Sequence, residues 1–312
     1  MAFVPRKKMI GKNGIFCVKF TRSQSFALSA ATFFTFLKLI DASVAASLVA
    51  LFFAAAVAAL AAVHAKNGRT LGDFKAAAVP LSISCAGAAA LVIAFLADEI
   101  SRLYGGYPLW IFFVGAAALT LFVALMPSGA LGRSAEILFA PALLAAIFSL
   151  FGEGSATIPK TDAFKGVYAA AFAGSFALLA LNGASDDDDG ADQTPKKRLS
   201  MRALPVIVGA AGAAAIYIIL LFFGAVSGVF SVLMQWDVFV LCAASLVSVP
   251  LDTVLSFDGS KRVLFAAVFV LAFVFVAVFG ENFGGAAIYT ALSAAAGVGI
   301  CVFLLTENRK KS

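Results

Sequence analysis

Apolar residues run along this chain in long unbroken windows separated by short polar turns. The windows fall near 24–40, 42–63, 76–97, 107–126, 134–151, 163–182, 203–224, 230–250, 262–280 and 284–305. Each is close to the length that crosses a bilayer core as a helix rising about 1.5 Å per residue. The runs are continuous and do not alternate, so they predict helices and not the strands of a transmembrane barrel. The pattern therefore reads as an all-α polytopic membrane protein with about ten transmembrane helices. The windows at 107–126 and 134–151 are set off by the clearest polar signals. Tyr107-Pro108-Leu109-Trp110 opens the first with a proline in the opening turn, where its missing N–H costs nothing. The Tyr and Trp rings beside it suit a membrane–water boundary.

Charge placement supports that count. With ten spans and the N-terminus inside, nineteen Lys and Arg fall in inner segments and four in outer ones. That is a strong positive-inside bias, and merging or splitting one span would invert every later loop. Both termini are then cytoplasmic in a cell membrane. Residues 1–22 carry Arg6, Lys7, Lys8, Lys12, Lys19 and Arg22 with no acid. They read as a retained cytoplasmic segment able to lie on anionic headgroups, since no small-residue cleavage site leads into a soluble domain. Residues 23–306 form one transmembrane domain and 307–312 a cytoplasmic tail. Within the domain, 183–202 holds Asp186 to Asp189 and then a basic run. Four consecutive acids repel and extend, and lack the spaced ligands of a calcium loop, so this is a cytoplasmic linker.

Composition agrees with the windows. Hydrophobic residues make up 62% of the 312 positions and charged residues 13%, and the mean hydropathy is +1.01. Too little polar surface remains for a water-soluble globule, so the lipid bilayer is the solvent for most of the chain. The net charge of +6 sits at span ends, which removes nucleic acid as a partner. Cys17, Cys85, Cys242 and Cys301 are isolated and form no metal-ligand spacing. With one histidine, no phosphate loop and no facing carboxylate pair, nothing points to an enzyme, a cofactor or a metal.

The turn after the 107–126 window contains Gly129 and Gly132, followed by Arg133, by Glu136 three residues on, and by Pro141 inside the next helix. Together with Pro108, this order resembles the endospore germination permeases. These are the transporter-like membrane subunits of nutrient germinant receptors, within the amino acid–polyamine–organocation superfamily. Arg22-Ser23-Gln24 looks like that family's polar start of helix one, and Ile216-Tyr217 through Gly224 like its seventh helix. The resemblance implies a 5+5 inverted-repeat transporter-like fold, with the first helix of each repeat interrupted at mid-membrane. It also implies recognition of a small molecule, an amino acid, between spans one, three, six and eight to trigger spore germination. Other germinant-receptor subunits would be partners, and the inner spore membrane the location. A secondary amino-acid permease coupled to H+ or Na+ and a non-transporting scaffold subunit are the alternatives. The chain departs from the family where Lys38-Leu39-Ile40-Asp41 leads almost directly into span two, without the usual outer linker.

Candidate chemistry follows from the polar residues inside the spans. Phe172-Ala173-Gly174-Ser175 puts a Gly-Ser step in the middle of span six. Such steps are kink sites, and an unwound turn there would offer backbone groups to a zwitterion at a half-helix N-terminus. The competing reading makes Gly174 a small residue at a helix–helix contact. Ser29, Thr32 and Thr35 share one face of span one. They either line the site, with Phe33 and Phe172 beside it, or bond their own backbone carbonyls. Arg133 and Glu136 are three apart on a helix face and are expected to pair as an anchor, a proton site being the alternative. Asp237 is either a deep coupling carboxylate, if span eight starts near Phe230, or an N-cap at the interface, if it starts after Trp236.

Overall fold

The computed structural model describes residues 20–64, 75–103, 107–126, 128–151, 163–182, 202–223, 229–254 and 285–309. Among them are nine α-helices and one long 3-10 helix. Helix α1 is Arg22–Leu39, α2 Val44–His64, α3 Lys75–Leu103, α4 Leu109–Ala124 and α5 Ser128–Ser149. The 3-10 helix Ala163–Phe172 runs directly into α6, Ala173–Asn182. Then come α7, Leu204–Phe222, α8, Val229–Val254, and α9, Gly285–Arg309. Nine of the expected spans thus have helix in their place, and the span expected at 262–280 lies outside the described residues, as does the 183–201 part of the linker.

Two boundaries differ from the expectation for physical reasons. Helix α5 starts at Ser128, so the glycines read as a turn are helical. Gly132 sits against the Gln24 side chain of α1, where a Cβ would fall 2.7 Å from that amide carbon. This close contact compensates for glycine's poor helix propensity. Helix α8 begins at Val229 and stays unbroken to Val254, which places Asp237 inside the helix and not at its cap.

Helix α1 is the axis of the bundle. Thr21 caps it through a capping box with Gln24, its hydroxyl accepting from the Gln24 N–H at 3.2 Å. The helix is apolar or weakly polar on every side, as a helix surrounded by others must be, and nearly all its residues from Gln24 to Leu37 are buried. It packs against α5, α6, α7 and α8. At the α7 crossing Gly209 lets the two backbones meet, since any Cβ there would collide with the Phe26 carbonyl. Around this axis the interior is rich in alanine, serine and phenylalanine. The large exposed apolar side chains instead form the periphery, among them Phe52, Trp110, Phe122, Ile137, Phe148 and Phe222.

Such an apolar exterior is disfavoured in water and matched by lipid. Among the described residues, five segments are long and apolar enough to cross a membrane: Val44–Val63, Pro80–Arg102, Gly129–Ser149, Ala163–Asn182 and Leu204–Phe222. The protein is a multi-pass membrane protein. The Phe20 N–H donates to the Asn182 carbonyl at 3.0 Å, so the start of α1 and the end of α6 lie at the same end of the bundle.

The other end of α1 closes with a Schellman motif. The Ala42 N–H donates to the Leu37 carbonyl at 3.0 Å and the Asp41 N–H to the Lys38 carbonyl at 3.1 Å. Asp41 has φ 47°, a left-handed conformation that glycine adopts freely and β-branched residues resist. Asp41→Gly should therefore keep its thermal stability in detergent, whereas Asp41→Val should lose about 1–2 kcal/mol. Equal melting of the two variants would show that the αL cap does not control this helix end.

Candidate functional site

The site grows from the crossing of α1 with the sixth span. That span changes helical type at Phe172/Ala173, from ten residues of 3-10 helix to ten of α-helix. A 3-10 run of this length is uncommon and often marks a hinge or local strain, because its hydrogen bonds are poorer and its side chains eclipse. Here the outside supports it. The Ser84 hydroxyl of α3 donates to the Ala171 carbonyl at 2.8 Å, just before the change. Gly166 lets the 3-10 helix approach the Ala46 carbonyl of α2 closely. Gly174 and Ser175 themselves are helical, so the interruption lies on their N-terminal side and the helix does not unwind at them.

Gly174 faces α3. A Cβ there would meet Cys85 Sγ at 3.2 Å and the Leu81 carbonyl at 3.4 Å, a helix–helix contact that fits the packing reading. Phe172 and Phe33 are fully buried and hold the crossing together. Phe36 packs on Phe172 with ring centroids 5.3 Å apart, and Phe33 on Phe176 at 6.1 Å. Ser175 is one of six buried hydroxyls left without a hydrogen-bond partner among the described residues. It borders a void too narrow for a water molecule, shared with Cys85 of α3 and Ser245 of α8. A buried hydroxyl without a partner costs about 1–3 kcal/mol.

The polar row of α1 divides. The Ser29 Oγ donates across to the Val206 carbonyl of α7 at 2.6 Å. Thr32 and Thr35 donate back to the Leu28 and Ala31 carbonyls, each at 2.8 Å, as hydroxyls in membrane helices often do. Both also lie beside the Cys242 thiol of α8. The crossing thus brings Thr32, Thr35, Ser175, Cys85, Cys242 and Ser245 into one neutral hydrogen-bonding interior, and Ser29 points away from it. Ser84, Cys85 and Ser245 were not singled out by sequence. Their signal was a small polar residue inside an apolar span, which alone does not separate a site from a self-bonded hydroxyl.

The charges behave differently from expectation. Arg133 and Glu136 form no ion pair with one another, and Arg133 is exposed. Glu136 instead turns to the start of α1. Its carboxylate accepts from the Thr21 hydroxyl at 3.2 Å, from the Ser23 hydroxyl, and from the Gln24 side-chain amide at 3.4 Å. Thr21 and Ser23 precede and open a helix whose first N–H groups carry partial positive charge, so an acid is favoured there. The helical spacing of Arg133 and Glu136 suggested a pair, but a better set of donors comes from another helix. Asp237 projects into a cleft bounded by α1, α5, α7 and α8. Lys38 is half-buried and within electrostatic reach of both Asp41 and Glu99 of α3.

No protein-family model matches this chain, and no curated protein matches its sequence. Solved structures do resemble it. The crystal structure of the Eremococcus coleocola manganese transporter, in complex with an aromatic bis-isothiourea substituted compound, aligns with a TM-score of 0.50 and 12% identity. That alignment covers 90% of this chain and 76% of the transporter. A point variant of the same transporter aligns with a TM-score of 0.49 and 11% identity, over 96% of this chain and 78% of that one. At such identities the likeness speaks for the fold alone: this multi-pass helical protein has a transporter-like fold.

Proposed function

We propose that this protein recognises a small nutrient at the crossing of α1, α3, α6 and α8. The observation that carries the reading is the change from 3-10 to α-helix at Phe172/Ala173, beside the unpartnered buried hydroxyl of Ser175. Helical irregularity inside a membrane span is tolerated where backbone groups face protein or a ligand. The hydroxyls and thiols around it suit a small polar molecule held by hydrogen bonds. The resemblance to germination permeases makes that molecule an amino acid, the consequence of its binding spore germination, and the partners other germinant-receptor subunits. Ten spans in a 5+5 inverted repeat belong to the same reading, the sixth span being the first of the second repeat.

A second reading is a coupled permease, and Asp237 favours it. This acid lies inside α8, where a carboxylate without a counter-charge is costly and commonly serves transport. Uptake of a radiolabelled amino-acid mixture into proteoliposomes separates the two. Accumulation driven by an imposed H+ gradient supports the permease, and binding without uptake supports recognition alone. Neither binding nor uptake would overturn both.

A further inference from the structure

The level of Asp237 in the bundle is set by its neighbours. Phe239 of α8 packs on Phe95 of α3 with ring centroids 5.6 Å apart, while Ser245 borders the same void as Cys85, so α3 and α8 run in opposite directions. Going from Phe239 back to Asp237 therefore follows α3 from Phe95 towards Asp98, Glu99 and Arg102. Lys38, at the end of α1, lies within electrostatic reach of Glu99 and Asp41. These groups mark one charged end of the bundle, the level at which side chains reach headgroups and water. Asp98 and Arg102 pair there at 2.7 Å. Asp237 is exposed and makes no hydrogen bond or ion pair among the described residues, and neither Lys38 nor Arg102 acts on it electrostatically.

From this acid an apolar cleft leads away from the charged end. It is walled by Ala27 and Ala31 of α1, Ala135 and Ala142 of α5, and Ala213 of α7, and every residue lining it except Asp237 is apolar. Glu136, beside Ala135, is held by Thr21, Ser23 and Gln24 at the start of α1, so Ala27 and Ala135 lie towards the opposite end of the bundle. From Ala135 to Ala146 the lining runs about 16 Å along α5, at 1.5 Å per residue. That is close to the depth of one leaflet, half of a hydrocarbon core of about 30 Å. Leu143 lines the cleft and is itself exposed, so the cleft opens sideways on the apolar surface that faces lipid. Its enclosed space is about 50 Å³, which over that length makes a narrow track.

A molecule that fits here has two parts. Its chain is apolar, slender and about one leaflet long, and it enters sideways from the bilayer. Packing in the track is all the chain gains, because lipid tails are as apolar as the alanines. Choice among amphiphiles therefore falls to the head. A neutral or anionic head leaves the Asp237 carboxylate without a counter-charge, whereas an ammonium gives it a charge-assisted hydrogen bond. At the far end Glu136 already has its donors, so the head has one place to go. We propose that this cleft holds a single-chain membrane amphiphile with an ammonium head, its nitrogen on the Asp237 carboxylate and its chain laid along the alanine track towards Ala27 and Ala135. The cleft shares α1 and α8 with the proposed nutrient site but faces α5 and α7, and the inference does not rest on that site.

Dodecylamine carrying a diazirine at the far end of its chain is the probe, since an alkylamine is an ammonium at neutral pH. On illumination the diazirine loses dinitrogen and the carbene left behind inserts into a neighbouring bond. In phosphatidylcholine liposomes holding the full chain, mass spectrometry should find the label on peptides containing Ala27 or Ala135. Excess dodecylamine should suppress that label several-fold more than the same excess of dodecanol. In Asp237→Asn, a change at an exposed position, the two competitors should be equal. Ala142→Phe, which fills the track, should lose the label. Equal competition by amine and alcohol in the wild type would mean that the track takes any lipid chain, and would overturn the proposal. So would an amine preference that survives in Asp237→Asn, an undiminished label in Ala142→Phe, or a label absent from both peptides.

Discussion

Gly174→Leu is expected not to accumulate as folded protein in the membrane, whereas Gly174→Ala accumulates normally. The Cβ of an alanine would stand 3.2 Å from Cys85 Sγ and 3.4 Å from the Leu81 carbonyl, which small shifts relieve. Alanine also gains about 1 kcal/mol of helix propensity over glycine. Leucine adds three more carbons towards a helix backbone that cannot retreat, because Ser84 on the same helix is bonded to Ala171. Overpacking of this kind costs about 3 kcal/mol or more when backbone must move. Membrane abundance and thermal unfolding in detergent measure it. A leucine variant as abundant and stable as wild type would mean that α3 and α6 are farther apart than described, with open space at Gly174.

Glu136→Ala is the second large effect. Its carboxylate receives three side chains from the start of α1, and hydrogen bonds to a charged group contribute about 1.5–3 kcal/mol each when protected from water. Two of the three are partly buried and one is exposed, so water will replace part of this and the net loss should be about 2 kcal/mol. Arg133→Gln should be nearly neutral, within about 0.5 kcal/mol, because the Arg133 side chain is exposed. Thermal unfolding of the two single variants decides the point. Equal losses would restore the ion pair between them that sequence spacing suggested.

The helices were readable because span length and apolarity are local properties, and nine expected spans have helix where the windows lay. Boundaries failed where a contact from another helix decides. Glycines 129 and 132 read as a turn until Gln24 is seen packed against one of them. Asp237 was ambiguous because an aspartate beside a tryptophan can cap a helix or lie within one, and the course of α8 shows that it is not the cap. The candidate site was half visible for a similar reason. The Gly-Ser step reads as a break, yet Gly174 and Ser175 are α-helical and the 3-10 stretch ends before them at Phe172. What the hydroxyls touch was not visible: Ser29 reaches α7, Ser84 reaches the 3-10 helix, and Ser175 has no partner. Those outcomes depend on how helices distant in sequence are rotated against each other.

Ligand recognition at the α1–α6 crossing is tested most directly by thermal shift. The natural amino acids are added singly to the purified protein, alongside the same panel on Ser175→Ala. Alanine removes the hydroxyl that would meet the ligand and adds no atom to the packed site. At least one amino acid should raise the melting temperature of the wild type and leave that of the variant unchanged. No shift in the wild type, or the same shift in both proteins, would contradict a nutrient site at this crossing.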